Sequence, residues 1–567
     1  MMAVFYDGER LCVQLNKNLD YKVVLDIAKE SDYSEYIQDV GIYCLPPTRR
    51  NARLLKEAGY RFDESAKPFL RGAEKPRESV SSNLPPSLYP FQKDGVETLL
   101  SSNRNYLIAD EMGLGKTVQV LTYLKLNPKS LPAIVICPAS LKLNWAKEIE
   151  RWVGVEAYVL NGRTPEHLDD DFLSKYPIWV INYDILGVED KEEREREDER
   201  ERYCKDNGLP FRRKKLKVHG WCDEIARHDF NTVVCDEVQY IAEPGTLRSR
   251  GVIQICDGDS RKIFLSGTPY ETKTSQFFTC LNLLDKWKFP NRWRYLMDYC
   301  DAKKTPFGWK FDGLSNADEL HEKISTLMIR RLKKDVLTQL PPKTRIVIPL
   351  DVSKANRRVY DKAEKELDEA IQRHEKNALT KLAELKKASF EAKKDAIIQW
   401  IKDYLEVNDK LVVFVYHKVA FNLLMDTFSK IAVGINGETP NSKRQAYVEK
   451  FQTKKKTRLF IGQIKATNAG LTLTASNATC FVEFGSSAPQ HVQAEDRVHR
   501  ISQEADAVFA YYLILDNSID NSIMDVLNTR NADIEKVLDN NDGGNIFNDD
   551  FNKAILSKYK ENKKMNL

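Results

Sequence analysis

Two series of short apolar runs constrain this chain more than anything else in it. The first series lies at 106–109, 133–137, 179–181, 232–235 and 262–265. The second lies at 411–416, 432–435, 458–461, 479–484 and 508–515. Amphipathic stretches of helical period separate the runs of the first series, and polar motif residues follow each of them. A short apolar run with no polar alternation suits a strand covered on both faces, so the pattern predicts parallel sheets flanked by helices. Ligands bind such sheets at the carboxyl ends of the strands. The fold class is therefore α/β, with two separate units and no other internal repeat.

At 567 residues the chain is too long for one core. The expected division is an accessory domain at 1–75, a linker at 76–87, a first lobe at 88–285, helical protrusions and an interlobe linker at 286–400, a second lobe at 401–525, and a helical brace or tail at 526–567. An Asp7-Gly8 hairpin signal opens the accessory domain, read as small and α+β. Residues 74–86 are rich in Ser, Pro, Glu and Lys, as a linker is. Dense Lys and Glu without Gly or Pro from Ser353 to Lys394 read as long, solvent-washed helices projecting from the core. A charged insertion at 189–217 ends in Arg212-Arg213-Lys214-Lys215-Leu216-Lys217. Its plain reading is a solvated excursion, and its functional reading a phosphate-contacting arm.

The net charge of +4 announces no global affinity for nucleic acid, so any such surface is a local patch. The ten cysteines show no metal or redox spacing, and Cys137, Cys235 and Cys480 sit inside apolar runs as reduced thiols would. Early charges argue against a secretory signal, and no apolar run reaches bilayer length. The expectation is a cytoplasmic protein, nuclear if eukaryotic, monomeric and without a membrane partner.

The chemistry concentrates at Asp110-Glu-Met-Gly-Leu-Gly-Lys-Thr117. Gly113 and Gly115 allow a tight turn that aims N–H groups at phosphate oxygens. Lys116 can reach the β- and γ-phosphates, and the Thr117 hydroxyl can ligate magnesium. Asp110 stands where the common phosphate-loop pattern has Gly. Asp236-Glu237 follows another apolar run: Asp236 suits magnesium, and Glu237 suits activation of water. Alone, the pair also reads as a strand-end cap. Ser266-Gly267-Thr268-Pro269 reads as a turn, or as a link between nucleotide state and a nucleic-acid path. Arg497 and Arg500, one helical turn apart, could clamp a γ-phosphate as arginine fingers, or form surface ion pairs. The Gln92 amide could read an adenine edge. His417, His491 and His499 show no metal spacing.

These motifs resemble those of superfamily-two helicases of the Swi/Snf-type ATPase group. The likeness covers 88–525 and includes Cys137-Pro-Ala-Ser-Leu-Lys-Leu-Asn-Trp145, Asn182-Tyr-Asp184, Val413-Phe-Val-Tyr-His417 and the segment from Gln493 to Arg500. Met328-Ile-Arg-Arg-Leu-Lys-Lys-Asp-Val-Leu-Thr-Gln-Leu-Pro-Pro342 and Ala469-Gly-Leu-Thr472 are similar to the HepA-related (HARP) annealing-helicase branch. The resemblance implies two RecA-like lobes and a DNA-dependent ATPase using ATP and Mg2+ to translocate on duplex or forked DNA, with a replication or repair protein as partner. Its site set is Lys116, Asp236, Glu237, Arg497 and Arg500 for catalysis. Gln92, Asp110, Gly113, Leu114, Gly115, Lys116, Thr117 and Gln493 would bind nucleotide, and Thr117 and Asp236 the metal. Ser140, Lys142, Asn144, Trp145, Lys465, Thr467 and Asn468 would contact DNA, and Ser266, Gly267 and Thr268 would couple the two. The chain departs from the family in having Gln239 where the acidic box usually ends in His, and in lacking a Trp before the Gln493 segment. Two rivals stand beside this reading: an RNA track, and a nucleotide-gated DNA scaffold with little turnover.

Overall fold

The structure is a computed structural model that describes residues 4–540, apart from 7–9, 16–20, 30–33, 38–40, 46, 48, 64, 67–83, 190, 212, 215, 307, 312, 338, 374–376, 468–470 and 486. The Asp7-Gly8 turn, most of the linker, Arg212 and Lys215 of the basic run, Ser486 and the chain after 540 thus lie outside the described residues.

Both expected α/β lobes are present. The first is a seven-stranded sheet ordered Met328–Ile329, Tyr106–Ile108, Arg261–Leu265, Thr232–Asp236, Ala133–Cys137, Ile178–Asn182 and Tyr158–Val159. Every neighbouring pair is parallel. The second is a six-stranded parallel sheet ordered Lys343–Pro349, Val508–Ile514, Ala478–Phe481, Leu411–Val415, Leu459–Gln463 and Ala432–Ile435. Alternate residues of one strand feed opposite cores: Ile134 and Ile136 join one cluster of lobe one, Val135 and Cys137 the other. Val412 and Phe414 divide from Val413 and Val415 in the same way in lobe two. Unbroken apolar runs are what a sheet covered on both faces requires. The edge strands Tyr158–Val159, Met328–Ile329 and Lys343–Pro349 are short or half-exposed.

The region 286–400 divides between the lobes. Helices Arg292–Tyr299 and Ala317–Ser325 bury Tyr295, Leu296, Leu320 and Ile324 in the core of lobe one. The segment 330–342 carries the chain from the first sheet to the second. Helices Lys354–Gln372 and Ala378–Val407 correct the expectation of solvent-washed projections. They pack together and bury Tyr360, Leu367, Leu382, Leu385 and Ala392 in the core of lobe two. Their dense charges line the outer face and masked the apolar stripe.

Helix Ile519–Asp539, capped by Ser518, spans both lobes. Ile519, Ile523 and Val526 lie in the core of lobe two, and Ile534, Val537 and Leu538 in that of lobe one. The N-terminal unit is α+β as expected: a four-stranded antiparallel sheet with helices Lys22–Lys29 and Arg49–Glu57 on a core of its own. All ten cysteines are free thiols. Among the described residues no helix is long and apolar enough to cross a membrane.

Candidate functional site

Strand Tyr106–Ile108 delivers the chain to the loop 109–115, and helix Lys116–Leu126 opens directly after it. Gly113 and Gly115 have φ of +87° and +78°, a left-handed backbone that glycine adopts without strain. A Cβ on Gly115 would lie 2.5 Å from Gln92 Nε2 and would have to push that amide off the loop. Lys116 Nζ rests 2.8 Å from the Asp110 carbonyl. Desolvation lowers its pKa, and Glu237, Asp110 and Asp236 oppose that shift. Thr117 is half-buried in the first turn of the helix.

Two residues of the nucleotide set are engaged inside the protein. The carboxylate of Asp110 is fully buried, and Arg331 grips it with two bonds of 2.9 Å. Gln119 donates to it at 2.8 Å. Asp110 therefore ties the loop to the interlobe linker through its side chain, and only its carbonyl faces Lys116. Gln92 donates to the Leu114 carbonyl at 3.0 Å and accepts from the Tyr89 N–H at 3.0 Å. An adenine edge would have to displace one of these. Leu114 is buried with Phe91 and Leu337 and holds the loop by packing.

Asp236 ends strand Thr232–Asp236, and Glu237 follows with φ +54°. Trp145 Nε1 donates to Asp236 Oδ2 at 2.8 Å, and the Tyr183 hydroxyl donates to the Asp236 carbonyl at 2.8 Å. Burial, and after it the charge of Glu237, push the Asp236 carboxyl up to about 7. From Glu237 a line of hydrogen bonds leaves the site. Gln239 Nε2 donates to Glu237 Oε2 at 2.7 Å, and Ser266 Oγ donates to Gln239 Oε1 at 2.7 Å. The Thr268 N–H donates to Ser266 Oγ at 3.0 Å, and Gln493 Nε2 of lobe two reaches Thr268 Oγ1 at 3.5 Å. Gln239 thus bridges two residues in the box position usually held by His. Gln493 is buried against Thr268.

Helix Ala488–Glu495 stops before the two arginines, which lie in the turns that follow it. The expectation that one helical face carries both is corrected: Ser487 caps this short helix, and Asp496 closes it. Arg497 is fully buried and donates to the Leu471 carbonyl at 3.4 Å. Burial and the neighbouring Arg500 lower its pKa to about 9, against an opposing pull from Glu237. Arg500 donates to Thr472 Oγ1 at 2.8 Å and to the Asp496 carbonyl at 3.1 Å. A methyl on Gly113 would lie 3.8 Å from Arg500 Cγ, so lobe two already borders the phosphate loop.

The linker supplies residues that sequence reasoning missed. Arg330 donates through Nη1 to the carbonyls of Ala109 and Gly267 at 2.8 Å each, and forks onto Asp539 at 2.8 and 2.9 Å. Lys333 Nζ lies 2.7 Å from Asp496 Oδ2, and its N–H donates to Glu111 at 2.7 Å. Lys343 and Arg345 pair with the fully buried Glu495 at 2.9 and 2.7 Å. The available signal was a run of four cations where the chain passes between lobes.

The residues expected to contact DNA separate into two kinds. Trp145 and Thr467 are corrected: Trp145 is fully buried on Asp236, and Thr467 is fully buried with its hydroxyl donated to the Gln463 carbonyl at 3.0 Å. Ser140 is half-buried, Asn144 and Lys465 are exposed, and Asn468 lies outside the described residues. Lys142 Nζ is held by the Leu160 carbonyl at 2.9 Å and Asn161 Oδ1 at 2.8 Å.

A family model described as the SNF2-related domain matches residues 91–402, more than half of the chain. The chain belongs to the SNF2-related family. The model of the helicase conserved C-terminal domain matches 392–502 of this SNF2-related chain, on lobe two. The SWI/SNF-related matrix-associated actin-dependent regulator of chromatin subfamily A-like protein 1 of Xenopus laevis is 30% identical over 78% of the chain and 43% of its own length. The DNA annealing helicase and endonuclease ZRANB3 of Bos taurus is 31% identical over 80% of the chain and 41% of its own length. The SNF2-related chain therefore spans less than half of each of these two relatives. A solved Sulfolobus solfataricus SWI2/SNF2 ATPase core in complex with dsDNA is 20% identical, covers 80% of this chain and 92% of that one, and has a TM-score of 0.36.

Proposed function

We propose that this chain is an ATP-driven DNA motor that hydrolyses ATP between its lobes and moves along duplex or branched DNA, remodelling or annealing it during replication, repair or recombination. The observation that carries the reading is the hydrogen-bonded line from Glu237 through Gln239, Ser266 and Thr268 to Gln493. It joins the side chain best suited to activate water with the lobe that must move. Lys116, Arg497 and Arg500 are all lowered in pKa by desolvation, so a polyanion brought among them stabilises their charged forms.

The residues also fit magnesium. Asp236, held near neutrality by burial and Glu237, returns to its ionised form beside a divalent cation. Among the described residues no cluster of three His, Cys, Asp or Glu could hold a metal alone. That suits a small hard ion which takes most of its ligands from phosphates and water, with Thr117 and Asp236 as the protein's share. When bound, such an ion would supply positive charge to offset that of the phosphates. Lys116 exchanges the Asp110 carbonyl for phosphate. Gln239 fixes Oε2 of Glu237, and Oε1 takes the proton of the attacking water. Arg497 and Arg500 offset the charge developing on the transferred group.

The test is ATPase rate with no nucleic acid, single-stranded DNA, duplex DNA, forked DNA and duplex RNA, with Glu237→Gln as control. Stimulation by duplex or forked DNA is expected. Equal stimulation by RNA would change the track, and absent turnover would leave the gated scaffold.

A further inference from the structure

We propose that Lys333 is a positioning residue for hydrolysis: wedged between the phosphate loop and lobe two, its ammonium sets where Arg497 and Arg500 stand over the nucleotide. The proposal rests on the reading of the cleft as the ATP site of a motor and adds to it a residue of the linker. Lys333 is 4% exposed. Its stem lies against the phosphate loop, where a Cβ on Gly113 would be 3.6 Å from Lys333 Cε and 3.8 Å from Arg500 Cγ. The linker reaches this place as a further strand beside the loop. The Ala109 N–H donates to the Ile329 carbonyl at 2.7 Å, the Glu111 N–H to the Arg331 carbonyl at 3.0 Å, and the Lys333 N–H to Glu111 Oε2 at 2.7 Å. The base of the loop and Lys333 are thus bonded into one unit.

From there the ammonium crosses to lobe two and holds both ends of one turn. Lys333 Nζ lies 2.7 Å from Asp496 Oδ2 and donates to the His499 carbonyl at 3.1 Å. Arg497 sits between those two contacts, and Arg500 follows them with its Nε on the Asp496 carbonyl at 3.1 Å. The turn lies beyond the end of helix Ala488–Glu495, so the helix does not hold it. Charge neutrality alone does not call for Lys333, because Lys343 already answers Asp496 from within lobe two, 3.0 Å from Oδ1. Desolvation lowers the pKa of Lys333 against the pull of Asp496, so burial works against the second ammonium. Buried ion pairs give little net stability over apolar packing, and their best-attested use is to fix register. The register fixed here is that of two arginines against the phosphate loop. A displacement of about 1 Å at such groups costs on the order of 10²-fold in rate.

The experiment titrates the full chain with fluorescent ADP and Mg2+, alone and with aluminium fluoride, an analogue of the transferring phosphoryl group. ATP hydrolysis with duplex DNA is measured beside it. Lys333→Met keeps the stem and removes the ammonium. Lys333→Met/Asp496→Asn restores charge balance, and melting temperature checks the fold. Aluminium fluoride should tighten ADP binding to wild type. Lys333→Met should bind ADP within about threefold of wild type but lose about tenfold or more of that tightening, with kcat falling at unchanged KM. In the charge-balanced variant the melting temperature should return toward wild type while the tightening stays lost. Because Lys333 acts through the arginines, Lys333→Met/Arg500→Ala should lose less than the product of the two single losses. Equal weakening of both ligands, recovery of the tightening in the charge-balanced variant, or losses that multiply would overturn the positioning role. So would a wild type whose ADP binding aluminium fluoride does not tighten. If duplex DNA stimulates wild-type ATPase and Lys333→Met matches wild type in every titration, the positioning role alone falls. If the tightening depends on Lys333 but no DNA stimulates hydrolysis, the motor reading alone falls.

Discussion

Glu237 holds a left-handed backbone, which costs a residue with a Cβ on the order of 1 kcal/mol or more. Tyr183 on the preceding carbonyl and Gln239 on the carboxylate hold it there. Glu237→Gln keeps shape and removes the base, so nucleotide and DNA binding should persist while turnover falls by about 10²–10⁴. Nucleotide titration and phosphate release measure the two separately, and normal turnover would refute the assignment. Trp145→Phe keeps an aromatic ring and removes the indole donor to Asp236. That carboxyl is already raised from its usual 3.8 to about 7, so its protonated form gains as pH falls through 7. Magnesium-dependent nucleotide binding should therefore weaken below pH 7 in the wild type, and at higher pH in Trp145→Phe. A nucleotide titration repeated across pH reads the difference, and coincident curves would deny Asp236 a role at the metal.

The linker is the element whose importance surpasses its size. In 330–333 it fixes Asp110, Glu111, two carbonyls of lobe one and Asp496 of lobe two. Arg331→Met leaves a fully buried carboxylate without its main cation, a change worth on the order of 3–5 kcal/mol. Lobe one should melt several degrees earlier, as differential scanning calorimetry would detect. The neighbouring Glu495 gives a pH signature. Opposing its burial, Lys343 and Arg345 hold its acid at about 2, below the usual 4.5. Its contribution is present above pH 4.5 and is lost as pH falls toward 2. Glu495→Gln should therefore destabilise the protein at neutral pH, with the gap to wild type closing between pH 4.5 and 2 in urea melts. A gap independent of pH would show that packing, not charge, dominates there.

Across the whole molecule, the site is divided between lobes that meet at Thr268–Gln493 and Gly113–Arg500, with Lys333 of the linker on Asp496 of lobe two. Arg500→Ala should spare ATP binding and abolish DNA-stimulated turnover; a variant that hydrolyses normally would mean that closure is not required. The helix Ile519–Asp539 crosses the same divide, and Arg330 ties its end to the phosphate-loop strand. Sequence alone determined the two parallel sheets, because strands buried on both faces need unbroken apolar runs. It also determined the phosphate loop, because glycines adopt its two left-handed positions without strain. It did not determine which polar residues face solvent. Trp145 and Thr467 sit inside motifs that read as DNA contacts, yet they are core donors. Asp110 and Gln92 read as ligand contacts, yet they satisfy buried partners. Nor could it pair Arg330, Arg331 and Lys333 with the distant carboxylates of Asp539, Asp110 and Asp496. Periodicity and turn chemistry are local and can be read along the chain. Burial and charge pairing depend on which distant segments close over a residue, and only the tertiary structure decided that.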